Sequence, residues 1–437
     1  MNASAGPGRL AGPALHTLTA WQAAALLARR ELSAEDLMRA CLERTAERDG
    51  EVRAFAHLDP DAALAQARAL DAGAVRGPLH GLPLGVKDLF DTFDMPTAYG
   101  SPLYAGHRPA ADAAAVALCR ESGAVVMGKT VTTEFAYFHP GPTRNPCDPA
   151  HTPGGSSSGS AAAVADSMLP LALGTQTAGS IIRPAAYCGV VGYKPTAGRV
   201  PRGGVKSLSD MLDTVGGFGR CVRDVALLGA VLTGDRRLLA LPDVETLRIG
   251  MCRTPAWPEA DSDTRAVWEQ AAKALVAGGA ALADVALPAT LPDLVSLQKN
   301  VMTFEMARAL SHERVRHPDQ LSEALRLLFR EAAAITGEAH AAHLAAAAAA
   351  RCSVDALFAN FDVLVAPSAT GEAPAGTDAT GDPVFCRGWT LLGLPCVHLP
   401  FAKGRHGLPI GLQFIGRAGD DHRLLAAANW ASERLTR

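Results

Sequence analysis

Two clusters rich in glycine and serine, GGSSSGS at Gly154–Ser160 and GTQTAGSIIRP at Gly174–Pro184, concentrate the groups able to do chemistry in this 437-residue chain. Glycines at 174 and 179 permit backbone geometries that turn amide N–H groups toward a small anion, as a tetrahedral intermediate requires. Serine is a weak nucleophile and needs a base. No histidine lies inside either cluster, so the base is sought in a lysine whose pKa burial has lowered. Bringing a lysine from about 10.4 to neutrality opposes roughly 4 kcal/mol, which only a buried, prearranged site sustains. Lys87, inside the apolar run LGVKDLF, has that setting. A flexible linker shares the Gly/Ser composition, but apolar strand and helix patterns flank both clusters.

Rival motifs fail on context. GSSSG at Gly155–Gly159 fits G-x-S-x-G, with Ser157 as nucleophile, yet a Pro/His/Thr loop precedes it where that elbow needs a strand. Gly123–Thr130, GAVVMGKT, matches a phosphate loop literally, but its four cradle positions read as the strand itself. Ser296-Leu-Gln-Lys fits S-x-x-K without its companion motifs and reads as a helix surface. His312 and His317, and His340 and His343, lack the H-E-x-x-H arrangement of zinc hydrolases, and no metal site is expected.

The elements that must position these residues follow an α/β pattern. Thr19 and Ser33 read as helix N-caps, the latter with Asp36 in a capping box. Leu84–Phe90 reads as a short buried strand, whose alternation turns Lys87 and Asp88 to opposite faces and makes Asp88 a poor partner for Lys87. Further strands are expected over 124–127, 169–173, 190–194, 362–367, 395–400 and 410–415. Helices are expected over 111–122, 161–166 and 423–435, and a long helical section is expected beyond Asp224, through 268–277 and 331–350. Phe135, Tyr137 and Phe138 read as aromatic core or pocket lining.

The bulk numbers narrow the class. Net charge is −3 with no block of like charges, so nucleic acid is not expected as a partner. Nine cysteines, an odd count without a C-x-x-C pair, fit reduced thiols in the cytoplasm. Residues 1–18 lack the basic and apolar regions of a secretory signal and read as a loose tail. No run of about 18 strongly apolar residues occurs, so no membrane association is expected.

Five ordered segments carry a family resemblance: GPLHGLPLGVKDLFD, ESGAVVMGKTVTTEFA, TRNPCDPAHTPGGSSSGSAAAVA, GTQTAGSIIRPAAYCGVVGYKPT and PIGLQFIGR. Together they resemble the amidase signature family. The resemblance implies an α/β fold with a mixed central β-sheet between layers of α-helices, forming one domain over 1–437. Its sections would be a helical lead-in at 1–75, a signature core at 76–225, a mainly helical section at 226–360 and completing strands and helix at 361–437. It also implies Ser180 as nucleophile, Ser156 as bridging serine after a cis Gly155–Ser156 peptide, and Lys87 as base. The 24-residue interval between the serines (180 − 156) agrees with the family. Backbone N–H groups of Thr177, Ala178, Gly179 and Ser180 would form the oxyanion hole.

The chain departs from the common G-T-D-x-G-G-S-I-R pattern: Gln176 replaces the acid, Ala178 a glycine, and the arginine is Arg183, three residues after Ser180. Val131 stands where asparagine is common. These features resemble the malonamidase-like branch, which implies substrate binding at Gln176 and Arg183, the latter receiving a carboxylate or polar acyl group. A structural ion pair or backbone clamp is the alternative role for Arg183. The implied activity is hydrolysis of a small carboxylic amide through an acyl-enzyme, with no cofactor, in a homodimer. Hydrolysis of a ureide, as by allophanate or carboxybiuret hydrolases, and service as an amidotransferase A-type subunit beside a small partner are the alternatives.

Overall fold

A computed structural model describes residues 14–435 of the chain. Of the segment expected as a loose tail, residues 1–13 lie outside the described residues and Leu15–Thr17 forms a 3-10 turn. The two expected caps start helices α1 (Ala20–Ala28) and α2 (Ala34–Val52). Thr19 and Gln22 close a reciprocal box, and Ser33 Oγ accepts from the Asp36 N–H at 3.0 Å. A strand that the pattern does not reveal, β1 (Phe55–Leu58), interrupts the lead-in before α3 (Pro60–Asp71).

Then come β2 (Pro83–Lys87), buried at every position, α4 (Ala114–Glu121) and β3 (Val125–Thr130). The Gly-Lys-Thr run lies within β3, and Lys129 Nζ is held by Asp88 (3.0 Å), the Phe90 carbonyl (2.9 Å) and Thr97 (2.5 Å). It has no phosphate-loop geometry, and Asp88 is taken on the face away from Lys87. The clusters follow on α5 (Ser158–Ala165), β4 (Leu171–Gln176) and α6 (Ile182–Cys188), succeeded by β5 (Val191–Lys194), β6 (Thr214–Gly219) and α7 (Val222–Thr233).

The section at 226–360, expected to be mainly helical, also holds strands that the pattern does not reveal. It carries two strands, β7 (Arg248–Cys252) and β8 (Ala281–Val285), besides α8 (Ser262–Ala277), α9 (Leu294–Ala309), α10 (Ser311–Arg316), α11 (Glu323–Ala332) and α12 (Gly337–Asp355). Both strands are five residues long, and β8 (ALADV) is largely exposed at the sheet edge, so pairing and not composition makes it a strand. The chain closes with β9 (Val363–Pro367), α13 (Val384–Leu391), β10 (Cys396–Lys403), β11 (Pro409–Ile415) and α14 (Asp421–Leu435).

Among the described residues eleven strands join one mixed sheet in the order β1-β3-β2-β4-β6-β5-β10-β11-β9-β7-β8. Alternation along β5 shows how it is covered. Val191 and Tyr193 pack with side chains of α7, α8 and α14, whereas a Cβ at Gly192 would meet Ala185 of α6 at 2.6 Å. Helices therefore press on both faces.

Gly159 shows how tightly α5 is seated. A Cβ there would stand 2.1 Å from the Ala54 carbonyl and 2.4 Å from the Val131 nitrogen. Both are backbone atoms, so Gly159→Ala is expected to destabilise the fold by about 2 kcal/mol or more. Urea unfolding checks this: the midpoint should fall clearly, and an unchanged midpoint would contradict the packing.

Candidate active site

The parallel strands β2 and β4 run side by side, with Val86 opposite Leu173, so Lys87 and the Gly174–Ser180 cluster emerge at the same end of the sheet. Lys87 is fully buried, and its Nζ lies 2.7 Å from Ser156 Oγ and 2.7 Å from Thr175 Oγ1. No carboxylate forms an ion pair with it among the described residues. Burial pushes its pKa well below the ordinary lysine value, opposed by the charge of Asp213.

The first cluster sorts its serines by partner. Ser157 precedes α5 and shares 3.3 Å contacts with the N–H and carbonyl of Thr175. Ser158 Oγ donates to the Val131 carbonyl, and Ser160 meets Thr130 Oγ1 at 2.6 Å and the Leu173 carbonyl at 2.8 Å. Those three fasten α5 to the sheet, and Ser156, after a cis Gly155–Ser156 peptide, is the one that meets Lys87. No strand leads into Ser157, so the hydrolase-elbow reading has no structural basis.

The second cluster forms a loop pinned by its carbonyls. Gln298 Nε2 on α9 donates to the Thr177 carbonyl at 2.9 Å, and Thr390 Oγ1 on α13 donates to the Ala178 carbonyl at 2.8 Å. The N–H groups of Ala178, Gly179 and Ser180 have no hydrogen-bond partner among the described residues, which is how an oxyanion hole must leave them. Gly179 has no space for a side chain: a Cβ would meet Pro383 at 2.7 Å and Cys386 at 3.0 Å. Ser180, 8% exposed, lines a cavity of ≈ 20 Å³ with Ser156, Arg183, Tyr137, Phe138 and Met302. That volume holds about one water. Phe135 is buried in the core; with Ala136 it adopts positive φ (45° and 55°), which delivers Tyr137 and Phe138 to the cavity.

Gln176, expected to contact substrate, makes its hydrogen bonds within the protein. Its amide donates to Thr390 Oγ1 at 2.9 Å, and its Oε1 accepts the N–H groups of Ile181 (2.9 Å) and Ile182 (3.0 Å). A neutral amide both donates and accepts here, and the side chain is spent on capping α6. Arg183 differs. It is buried, one terminal nitrogen donates to the Gly155 carbonyl (2.7 Å) and Thr380 Oγ1 (3.1 Å), and its Nε and Nη1 have no protein partner among the described residues. Desolvation lowers its pKa, and no carboxylate offsets that in direct contact.

Sequence reasoning missed Thr175, Gln298, Arg387 and Thr390. Arg387 donates to Gln298 Oε1 at 2.5 Å, is pulled down to about 10 by burial and shares the Phe138 ring with Arg183, each guanidinium 5.9 Å from its centroid. Thr175 sits inside a quoted motif, Gln298 inside the Ser296-Leu-Gln-Lys run read as a helix surface, and Arg387 and Thr390 in a helix without a local signature. The histidine pairs gather no metal ligands: His340 stacks on Phe304, and no group of three potential ligands occurs among the described residues.

A family model described as Amidase matches residues 36–425. The chain belongs to the amidase family. Among curated relatives it is 36% identical to the A-type subunit of the glutamyl-tRNA(Gln) amidotransferase of Acidothermus cellulolyticus, over 93% of this chain and 92% of that one. The corresponding protein from Nitratidesulfovibrio vulgaris is also 36% identical, over 97% and 98%. A solved amidase structure shares 33% identity at a TM-score of 0.87 over 95% of this chain and 100% of that one. The peptide amidase of Stenotrophomonas maltophilia shares 31% at 0.80, over 96% and 97%. Membership in the amidase family accords with the mixed sheet between helix layers.

Gln176→Leu is expected to leave two N–H groups at the start of α6 unpaired in the interior, a cost of about 1–3 kcal/mol each. Thermal unfolding should show a lower midpoint. An unchanged midpoint would restore Gln176 as a candidate substrate contact.

Proposed function

We propose that this amidase-family chain hydrolyses a small carboxylic amide through a Lys87–Ser156–Ser180 relay and an acyl-enzyme. One observation carries the reading: a buried lysine, free of any carboxylate contact, 2.7 Å from a serine that shares its cavity with a second serine. Neutral Lys87 Nζ takes the Ser156 proton while Ser156 Oγ takes that of Ser180, whose Oγ bonds to the amide carbon. The carbonyl electron pair moves to oxygen, facing the N–H groups of the 177–180 loop. Collapse breaks the C–N bond, the relay returns the proton to the leaving nitrogen, and water then cleaves the ester. Water enters by the same relay.

Arg183 supports an acyl group ending in a carboxylate. Its Nε and Nη1 are unpaired in the interior and its residue lines the Ser180 cavity, and a carboxylate oxygen is the acceptor that a buried guanidinium with unpaired N–H groups attracts most strongly. The relatives that serve as amidotransferase subunits favour a second reading, in which the chain works beside a partner. The single-enzyme reading draws on Arg183, a substrate anchor carried by the chain itself. A homodimer active without any other protein, in the cytoplasm, completes the proposal. The nine thiols are all free, as expected there, and among the described residues no helix is long and apolar enough to cross a membrane.

Ser180→Ala is expected to abolish amide hydrolysis with circular dichroism unchanged; undiminished turnover would sink the mechanism. Lys87→Ala should lower kcat by at least about 100-fold, the usual weight of a positioned base, and a change in KM alone would make Lys87 a binding residue. Because Lys87 acts as its neutral form, kcat/KM should fall as pH drops through its lowered pKa.

In a panel of small amides, Arg183→Gln should reduce kcat/KM for carboxylated substrates about tenfold more than for neutral ones, equivalent to about 1.4 kcal/mol. Equal losses for both classes would assign Arg183 to structure. Ammonia release from ureides but not amides would redirect the substrate to the ureide class.

A further inference from the structure

Thr175, the second hydroxyl at Lys87, also lines a separate cavity of ≈ 140 Å³, whose wall includes Arg202, Ser207, Asp210 and Asp213. Asp213 precedes β6, whose first residue Thr214 pairs with Gln176 at the end of β4. The pairing brings its carboxylate to the start of the oxyanion loop, where Oδ1 accepts from Thr177 Oγ1 at 2.6 Å. Oδ2 accepts the N–H groups of Leu208 (2.8 Å) and Ser209 (3.1 Å) and faces Ser207 Oγ at 3.5 Å.

We infer that Asp213 is a positioning residue that acts on both halves of the site, holding the oxyanion loop through Thr177 and setting, through its charge, how readily Lys87 takes a proton. The inference rests on Lys87 being the base. Three observations support it beyond the Thr177 contact.

The carboxylate has no ion-pair partner among the described residues. Arg202, the nearby cation, spends its guanidinium on the carbonyls of Ser209, Asp210 and Asp213. Asp88, next to Lys87 in sequence, pairs with Lys129 on the opposite face at 3.0 Å. The groups in direct contact with Lys87 Nζ are neutral hydroxyls, Ser156 and Thr175. Asp213 is therefore the charge that acts on Lys87, raising its pKa against desolvation. Burial raises the Asp213 pKa as well, countered by the bonds from Thr177, Leu208 and Ser209 and by the charge of Arg202.

The relay requires this balance. Desolvation lowers the basicity of Lys87, whereas a carboxylate in contact would favour its protonated form. A charge one residue removed, behind Thr175 and Thr177, lies between those extremes.

The test uses the full-length protein and a fluorophosphonate probe, which reports serine reactivity without the natural substrate. Labelling rates are measured from acid to neutral pH for the parent, Asp213→Asn and Thr177→Val, with circular dichroism of each. Asn can accept from Leu208 and Ser209 and donate to Thr177, so it removes the charge and keeps the contacts. Asp213→Asn is expected to move the acid midpoint down by about half a pH unit or more. Thr177→Val, which cuts the tether but keeps the charge, should slow labelling without moving the midpoint. A midpoint unmoved in folded Asp213→Asn, or moved equally by Thr177→Val, would overturn the inference. Lys87→Ala distinguishes the underlying reading: parent-like labelling in that variant would remove the base and this inference together. A Lys87-dependent midpoint indifferent to Asp213→Asn would remove the inference alone.

Discussion

A lysine amine buried between two hydroxyls, with no carboxylate in contact, is the constraint on which the rest of the site depends. An ammonium there loses its hydration and gains only neutral partners, so the interior favours the free amine. Lys129 supplies the internal contrast. It is one strand away and equally buried, but it is held by Asp88 and three further oxygen acceptors. Of two buried lysines on adjacent strands, only one is left with a base's environment, and the alternation of β2 at Lys87 and Asp88 decides which.

Around that amine the fold builds in layers. Short, fully buried strands fix the end of β2 against the end of β4. Ser157, Ser158 and Ser160 fasten α5 so that Ser156 is presented to the lysine. The loop at 177–180 is held by its carbonyls from α9 and α13, which leaves its N–H groups pointing elsewhere. Preorganised donors of this kind need no rearrangement when charge develops on a substrate oxygen. Gln176 belongs to the same scaffold, since the position where an acid is common here caps α6 with a neutral amide.

What the sequence made legible was local. Lys87, Ser156 and Ser180 lie in contiguous motifs whose glycines, serines and flanking apolar residues define their own surroundings, and the caps at Thr19 and Ser33 are read within four residues. The supporting residues were not legible, because their partners are distant: Gln298 reaches Thr177 across 121 positions and Thr390 reaches Ala178 across 212. Thr390, which accepts from Gln176, is likewise 214 positions from it, whereas the α6 N–H groups that Gln176 caps lie only five and six positions on. The strands β7 and β8 were missed because short Ala- and Gly-containing segments become strands through pairing, and Asp213 gains its meaning only once β6 lies beside β4.

The central claim is that Lys87 is a free amine at neutral pH. Nuclear magnetic resonance of protein labelled with carbon-13 at lysine Cε, with Lys87 assigned by its loss in Lys87→Arg, tests it most directly. The account predicts one lysine resonance titrating far below the ordinary value of about 10.4 and shifting when Ser180 is phosphonylated. A Lys87 resonance that titrates with the surface lysines would contradict it.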